Sequence, residues 1–166
     1  MKKLIAFALA LTLISALAAC GSAVTLPADV EIPNPWQEVD TTADAETILG
    51  FDMAAPETLA GLSQTAVRVL KNGDASLLEC YYGGGETGAD YASLRKAPAS
   101  AEDISGDYTV YAKTETVTLG DISVTEKGDG ENVFSAVWTK GEYSYAFFST
   151  VGVSADALAE LISGIE

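Results

Sequence analysis

The sequence predicts an α+β domain: an antiparallel β-sheet built from hairpins, with a short N-terminal helix and a C-terminal amphipathic helix packed on it. Three observations carry this expectation. Turn-forming glycine pairs recur between residues 66 and 150, separating runs of alternating β-branched and aromatic residues. Within the domain, apolar residues fall at helical spacing only near its two ends. Strands clustered between terminal helices argue for α+β and against alternating βαβ units.

Trp36 opens the domain. Thr41 suits an N-cap with Asp44 three residues on, and Ala45, Ile48 and Leu49 repeat at helical spacing until Gly50 ends the run. Phe51, Met53 and Pro56 lead into the strands. Ala66–Leu70 and Ser76–Tyr82 flank Lys71-Asn72-Gly73-Asp74, where Asn-Gly supplies the positive φ angles of a type I′ turn. Tyr91–Lys96 and Tyr108–Lys113 read as further strands, joined by a loop over Ala97–Asp107. Thr116–Leu119 and Ile122–Thr125 flank Gly120-Asp121, which fits a II′ turn, and Val133–Thr139 and Tyr143–Thr150 flank Lys140-Gly141-Glu142. In the last segment Ser154 is the expected cap. Leu158, Leu161, Ile162 and Ile165 then form a stripe at i, i+3, i+4 and i+7 that needs a sheet face to cover.

The segment ahead of the domain has a different character. Lys2 and Lys3, a short apolar run and small residues before a cut site describe a secretory signal over residues 1–19. Leu17-Ala18-Ala19-Cys20 resembles the lipobox of bacterial lipoproteins, in which the cysteine thiol receives a diacylglycerol and becomes the first mature residue. Residues 20–35, polar and carrying Pro27, Pro33 and Pro35, read as the lipidated cysteine and a tether, and residues 36–166 as one domain. The expected location is the extracytoplasmic face of a cell membrane: the outer surface of a monoderm cell, or the periplasm or outer membrane of a diderm one.

Charge and composition remove several function classes. The chain has 24 acidic and 9 basic residues; without Lys2 and Lys3 the net charge is about −17. Such a surface repels nucleic acid and anionic headgroups, so the membrane partner is reached through the diacylglycerol on Cys20. With Cys20 acylated, Cys80 has no partner for a disulfide. The chain has no histidine, which removes the commonest general base and the commonest metal ligand together.

Four local patterns invite a chemical reading, and each has a simpler one. Gly83-Gly84-Gly85-Glu86-Thr87-Gly88 fits G-x-G-x-x-G, but a strand pattern follows it where a dinucleotide site needs a helix. Ser93-Leu94-Arg95-Lys96 fits S-x-x-K without the companion S-D-N and K-T-G, and in a strand its serine and lysine face opposite ways. Cys80 lies in an apolar strand and reads as a core thiol. Asp129-Gly130-Glu131-Asn132 lacks calcium-loop spacing and reads as a solvated turn. No cofactor, metal site or catalytic residue is expected.

The aromatic residues are the remaining lead. Adjacent aromatics in a strand point to opposite faces, so those of Leu77–Tyr82 and Tyr143–Phe148 cannot all share one core. Part of one sheet face is therefore expected to stay open as an aromatic groove, with Tyr81, Tyr143 and Tyr145 as ligand-binding candidates. The expected function is that of a non-catalytic, surface-anchored domain binding a protein, peptide or envelope ligand. The alternatives are a structural or accessory module without a small ligand, and a hydrolase using carboxylates.

Several stretches in order also carry a family resemblance. Val39-Asp40-Thr41 to Leu49-Gly50-Phe51, Asp103-Ile104-Ser105-Gly106-Asp107-Tyr108, Val137-Trp138 with Tyr143-Ser144-Tyr145, and the terminal helix resemble the bacterial domain of unknown function 4367. The resemblance covers roughly Trp36 to Glu166. It implies an exported or membrane-anchored protein, mainly of Gram-positive bacteria, with an antiparallel sheet and flanking helices, and it brings no catalytic residues. The Trp, turn, Tyr and helix ending is also similar to the C-terminal domain of periplasmic regulators of sigma-factor signalling, which implies a role in envelope sensing or regulation.

Overall fold

The computed structural model describes residues 34–73, 75–84, 89–99 and 103–165. The expected signal, Cys20 and the tether up to residue 33 lie outside them. In chain order the elements are β1 (Trp36–Val39), α1 (Thr42–Leu49), β2 (Thr58–Leu59), β3 (Leu62–Asn72), β4 (Ala75–Gly83), β5 (Tyr91–Pro98), β6 (Lys113–Leu119), β7 (Ile122–Gly128), β8 (Val133–Lys140), β9 (Tyr143–Val153) and α2 (Ala155–Gly164). The main sheet runs β1-β3-β4-β5-β9-β8-β7-β6, with every pairing antiparallel and β2 paired to the start of β3. The architecture is α+β in the broad sense, with sheet predominating over the two helices.

Turn chemistry sets the hairpins. Gly120-Asp121 and Gly141-Glu142 are two-residue loops, since Leu119 pairs with Ile122 and Lys140 with Tyr143. In each, the glycine alone has a positive φ, +59° and +62°, as a II′ turn requires. The β3–β4 turn differs from expectation by one position. Its last ladder pair is Asn72 with Ala75, so Gly73, at φ +57°, is the first turn residue and not the second.

Both helices begin as their caps dictate. Thr41 Oγ1 accepts the Asp44 amide at 3.1 Å, and Gly50 closes α1 at φ +84°. Ser154 Oγ accepts the Ala157 amide at 3.2 Å. Helix α2 stops at Gly164, one residue short of the expected stripe, yet Ile165 is buried and its carbonyl accepts a hydrogen bond from Lys140.

Strand alternation sorts the sheet into two faces. On the first lie Val67, Val69, Leu78, Cys80, Tyr82, Leu94, Val124, Ala136, Trp138, Tyr145 and Phe147, all buried. They are continuous across strands, because Val67 pairs with Cys80, Cys80 with Leu94, Leu94 with Phe147 and Phe147 with Ala136. Ala45 and Leu49 of α1, Leu158 and Ile162 of α2, and Phe51, Met53 and Leu59 join them in one apolar cluster. The core lies on this face.

Cys80 belongs to that core with no exposed surface. Burial, aided by the neighbouring Glu79 carboxylate, pushes its thiol up to about 12. Alkylation at pH 8 is therefore expected to be slow in native protein and complete only in denaturant, because the reactive thiolate is scarce and enclosed. Rapid native labelling, followed by mass spectrometry, would contradict the core placement.

One expected strand does not form. Residues 108–111 pair with nothing, and β6 starts only at Lys113. Tyr108 and Val110 alternate as strand residues do, but both point to solvent, 96% and 97% exposed. Asp107 Oδ1 takes the Thr109 amide at 3.0 Å, which turns the chain locally and removes that donor from any ladder. The segment is instead part of a long crossing. Strands β9, β8 and β7 separate β5 from β6, so the β5–β6 connection must traverse roughly 20 Å at ~4.8 Å per strand.

Candidate functional site

That crossing runs over the second face of the sheet and leaves a cleft beside it. On β3, β4 and β5, Arg68 pairs with Glu79 and Glu79 with Arg95, so three charged side chains stand in a row. Arg95 Nε and Nη2 each lie 2.8 Å from Glu79 Oε1, and Arg68 Nη2 lies 2.6 Å from Glu79 Oε2. The Glu79 side chain is only 3% exposed, whereas those of Arg95 and Arg68 are 19% and 28% exposed. A carboxylate buried this deeply is tolerable only because both oxygens meet a cation.

Arg95 also holds the crossing chain. Its Nη1 donates to the carbonyls of Ile104 at 2.9 Å and Ser105 at 2.7 Å. Farther along, Lys127 Nζ reaches Asp103 at 3.0 Å, and Tyr111 stacks on Phe134 with centroids 6.1 Å apart. These contacts pin residues 103–111 across the sheet. Burial works to raise the Asp107 carboxyl, but the Thr109 amide on Oδ1 and the nearby hydroxyls of Thr109, Tyr111 and Ser135 outweigh it, so Asp107 stays below the usual carboxylate range.

Aromatic rings form the rest of the cleft. Tyr81 stacks on Tyr91 at 5.4 Å, and Tyr91 packs on Phe148 at 5.3 Å, a ladder across β4, β5 and β9. The Arg68 guanidinium lies 4.7 Å from the Tyr81 ring centre, and both Arg68 and Arg95 lie 5.6 Å from that of Trp36. Gly84, at φ +70°, has no room for a side chain: an added Cβ would stand 2.7 Å from the Tyr81 hydroxyl oxygen. The cleft encloses about 520 Å³ between these rings, the arginines, Ser93, and Ser105 to Thr109. That volume is of small-ligand size.

Of the ligand-binding candidates read from sequence, Tyr81 lies in this cleft and Tyr143 and Tyr145 do not. Tyr145 is 2% exposed on the helix-covered face, stacked at 5.5 Å and 6° on Trp138. Tyr143 is half-buried on the same face, 5.2 Å from Phe51. Between these two tyrosines sits the buried Lys96, its ammonium 4.4 Å from the Tyr143 ring centre and 2.7 Å from the Asp52 carbonyl. Tyr91, Phe148 and the two arginines were missed. Cys20 lies outside the described residues.

The other patterns resolve simply. Gly83 and Gly84 turn the chain from β4 into β5, and residues 85–88 lie outside the description. Ser93 faces the cleft, whereas Lys96 points into the core. Asp129 Oδ1 accepts the amides of Glu131 and Asn132 at 2.8 and 2.7 Å, which makes a capped turn. Among the described residues no group of three or more side chains is placed to hold a metal ion, and no helix is long and apolar enough to cross a membrane. Comparison with known protein families, with curated proteins and with solved structures finds no match.

Proposed function

We propose that this chain is a lipoprotein held at the extracytoplasmic face of a membrane through Cys20, and that its domain binds a ligand in the cleft without transforming it. The observation that carries this reading is the sheet's second face. The two helices pack on one face, while the other keeps a ring-lined cleft of about 520 Å³ beneath the exposed Tyr108. The lipobox and the resemblance to domain of unknown function 4367 support the placement at the membrane.

Carboxylate hydrolysis finds less support. A general acid needs a carboxyl raised towards neutrality. In the cleft, Glu79 is committed to two arginines and Asp107 is held low. Burial and the facing Glu115 do raise Glu126, against an opposing effect of Lys113. That residue sits on the other face, beside a recess of about 60 Å³ that admits a water or two but no substrate.

Two measurements test the proposal. Cys20→Ser is expected to abolish acyl labelling and slow signal removal, because serine offers no thiol to the transferase; unchanged labelling of the mature chain would refute the anchor. A photoreactive residue in place of Tyr108, at the cleft mouth, is expected to give discrete adducts in intact cells. The same residue in place of Asp156, exposed on α2, is the control. Equal adducts from both positions, or none from position 108, would remove the case for the cleft and leave a structural module as the better reading.

A further inference from the structure

The charge distribution within the cleft narrows the class of ligand, granted the binding role proposed above. The chain contains only two arginines, Arg68 and Arg95, among 24 acidic residues, and both stand in this cleft. They share one buried carboxylate. The other acid lining the cleft, Asp107, accepts the Thr109 amide on Oδ1, while its Oδ2 is buried with no hydrogen-bond partner among the described residues.

The two guanidiniums differ in what they have left to give. A guanidinium carries five N–H donors in a planar fork. Arg95 directs its donors to Glu79 and to two backbone carbonyls, and it is the structural member of the pair. Arg68 gives one nitrogen, Nη2, to Glu79. Its Nε is buried with no hydrogen-bond partner among the described residues, and the side chain retains 28% exposure at the cleft. Nε–H shares its edge with Nη2, on the side of Glu79, so the edge left for a ligand is the outer one of Nη1 and Nη2, which two oxygens of one planar anion match. Beside that edge lies the ladder of Tyr81, Tyr91 and Phe148, a surface for a flat or ring-shaped group.

We infer that the cleft takes a small organic carboxylate, its oxygens on the free edge of Arg68 and its apolar body against Tyr81, Tyr91 and Phe148. For a cationic ligand the cleft offers only the single oxygen Oδ2 of Asp107, since Glu79 is enclosed between the arginines. The size of the cleft argues for a small molecule over an extended chain.

Calorimetry on the full chain in detergent tests this, with hippurate and its neutral amide, hippuramide, as probes. Hippurate is expected to bind at least tenfold more tightly than hippuramide. Arg68→Gln should bring the two within twofold. Arg68→Lys keeps a cation beside Glu79 and so guards against loss of folding; it should preserve part of the preference, as a point charge lacking the planar fork. Tyr91→Leu should weaken both probes alike. Equal binding of acid and amide by the native chain would overturn the carboxylate assignment, as would failure of both to bind at millimolar concentration. Should the amide bind equally well and still depend on Tyr91, the cleft remains a binding site and only the ligand class is wrong. Loss of the position-108 adducts in cells would instead strike the binding role itself.

Discussion

Glu79→Ala is expected to destabilise the domain by about 3 kcal/mol, measured by urea unfolding of the full chain. The glutamate stands between two guanidiniums with its side chain 3% exposed, and its removal leaves both cations without their shared partner. Breaking a buried ion pair by removing one member costs ~3–5 kcal/mol, because the remaining charge stays desolvated. The lower end applies here, since Arg68 is 28% exposed and can swing towards water. Arg95 has less freedom, being tied to the carbonyls of Ile104 and Ser105, so its loss of a counter-charge should also loosen the crossing over residues 103–111. Glu79→Gln retains the shape and one acceptor oxygen and should cost less than alanine. A loss below about 0.5 kcal/mol for alanine, the range of ordinary surface changes, would show that the row of charges is not buried as described.

Which side chains share a face was legible in the sequence; which neighbours they meet was not. Alternation within a strand separates Leu78, Cys80 and Tyr82 from Leu77, Glu79 and Tyr81, and it separates Tyr143, Tyr145 and Phe147 from Ser144, Ala146 and Phe148. Both divisions hold in the structure. Joining them across strands needed the order β4-β5-β9, which places Leu94 between Cys80 and Phe147 and so puts Tyr145 in the core. No local pattern encodes that order, because β9 reaches β5 only after three intervening strands. Phe148 falls on the cleft face by the same alternation, opposite to the two tyrosines.

The charged row was hidden by a smaller error. With Asn72-Gly73 as the centre of the β3–β4 turn, Arg68 faces Leu77, and the arginine looks like a solvated surface residue. The actual pairing of Asn72 with Ala75 moves the ladder along so that Arg68 faces Glu79. Both registers keep the same residues on the same face, so hydrophobic patterning does not distinguish them. Helix limits were easier, since Thr41, Gly50 and Ser154 act within a few residues of where they stand. Tyr108–Lys113 misled because alternation of large residues signals a strand only when one side meets a core, and here the alternating Tyr108 and Val110 both face water.

Leu158→Ala in the terminal helix is expected to cost about 3 kcal/mol, and Leu161→Ala about 1 kcal/mol. Sequence spacing alone places both on one stripe and cannot rank them. In the fold, Leu158 has no exposed surface and Ile162 has 1%, whereas Leu161 is half-buried at the edge of the cluster. Truncating a fully buried leucine removes its transfer free energy and leaves a cavity, together ~2–5 kcal/mol. A half-covered leucine loses less burial and leaves a gap that water can enter, so both contributions shrink. The pair therefore measures how α2 is rolled on the sheet: equal losses would mean that the helix presents a different edge to the core. Because α2 covers the face opposite the cleft, Leu158→Ala at a temperature where the chain remains folded should leave the adducts from position 108 unchanged. A parallel loss of stability and adducts would mean that the two faces of the sheet act as one unit, and the cleft could no longer be treated as a site independent of the core beneath it.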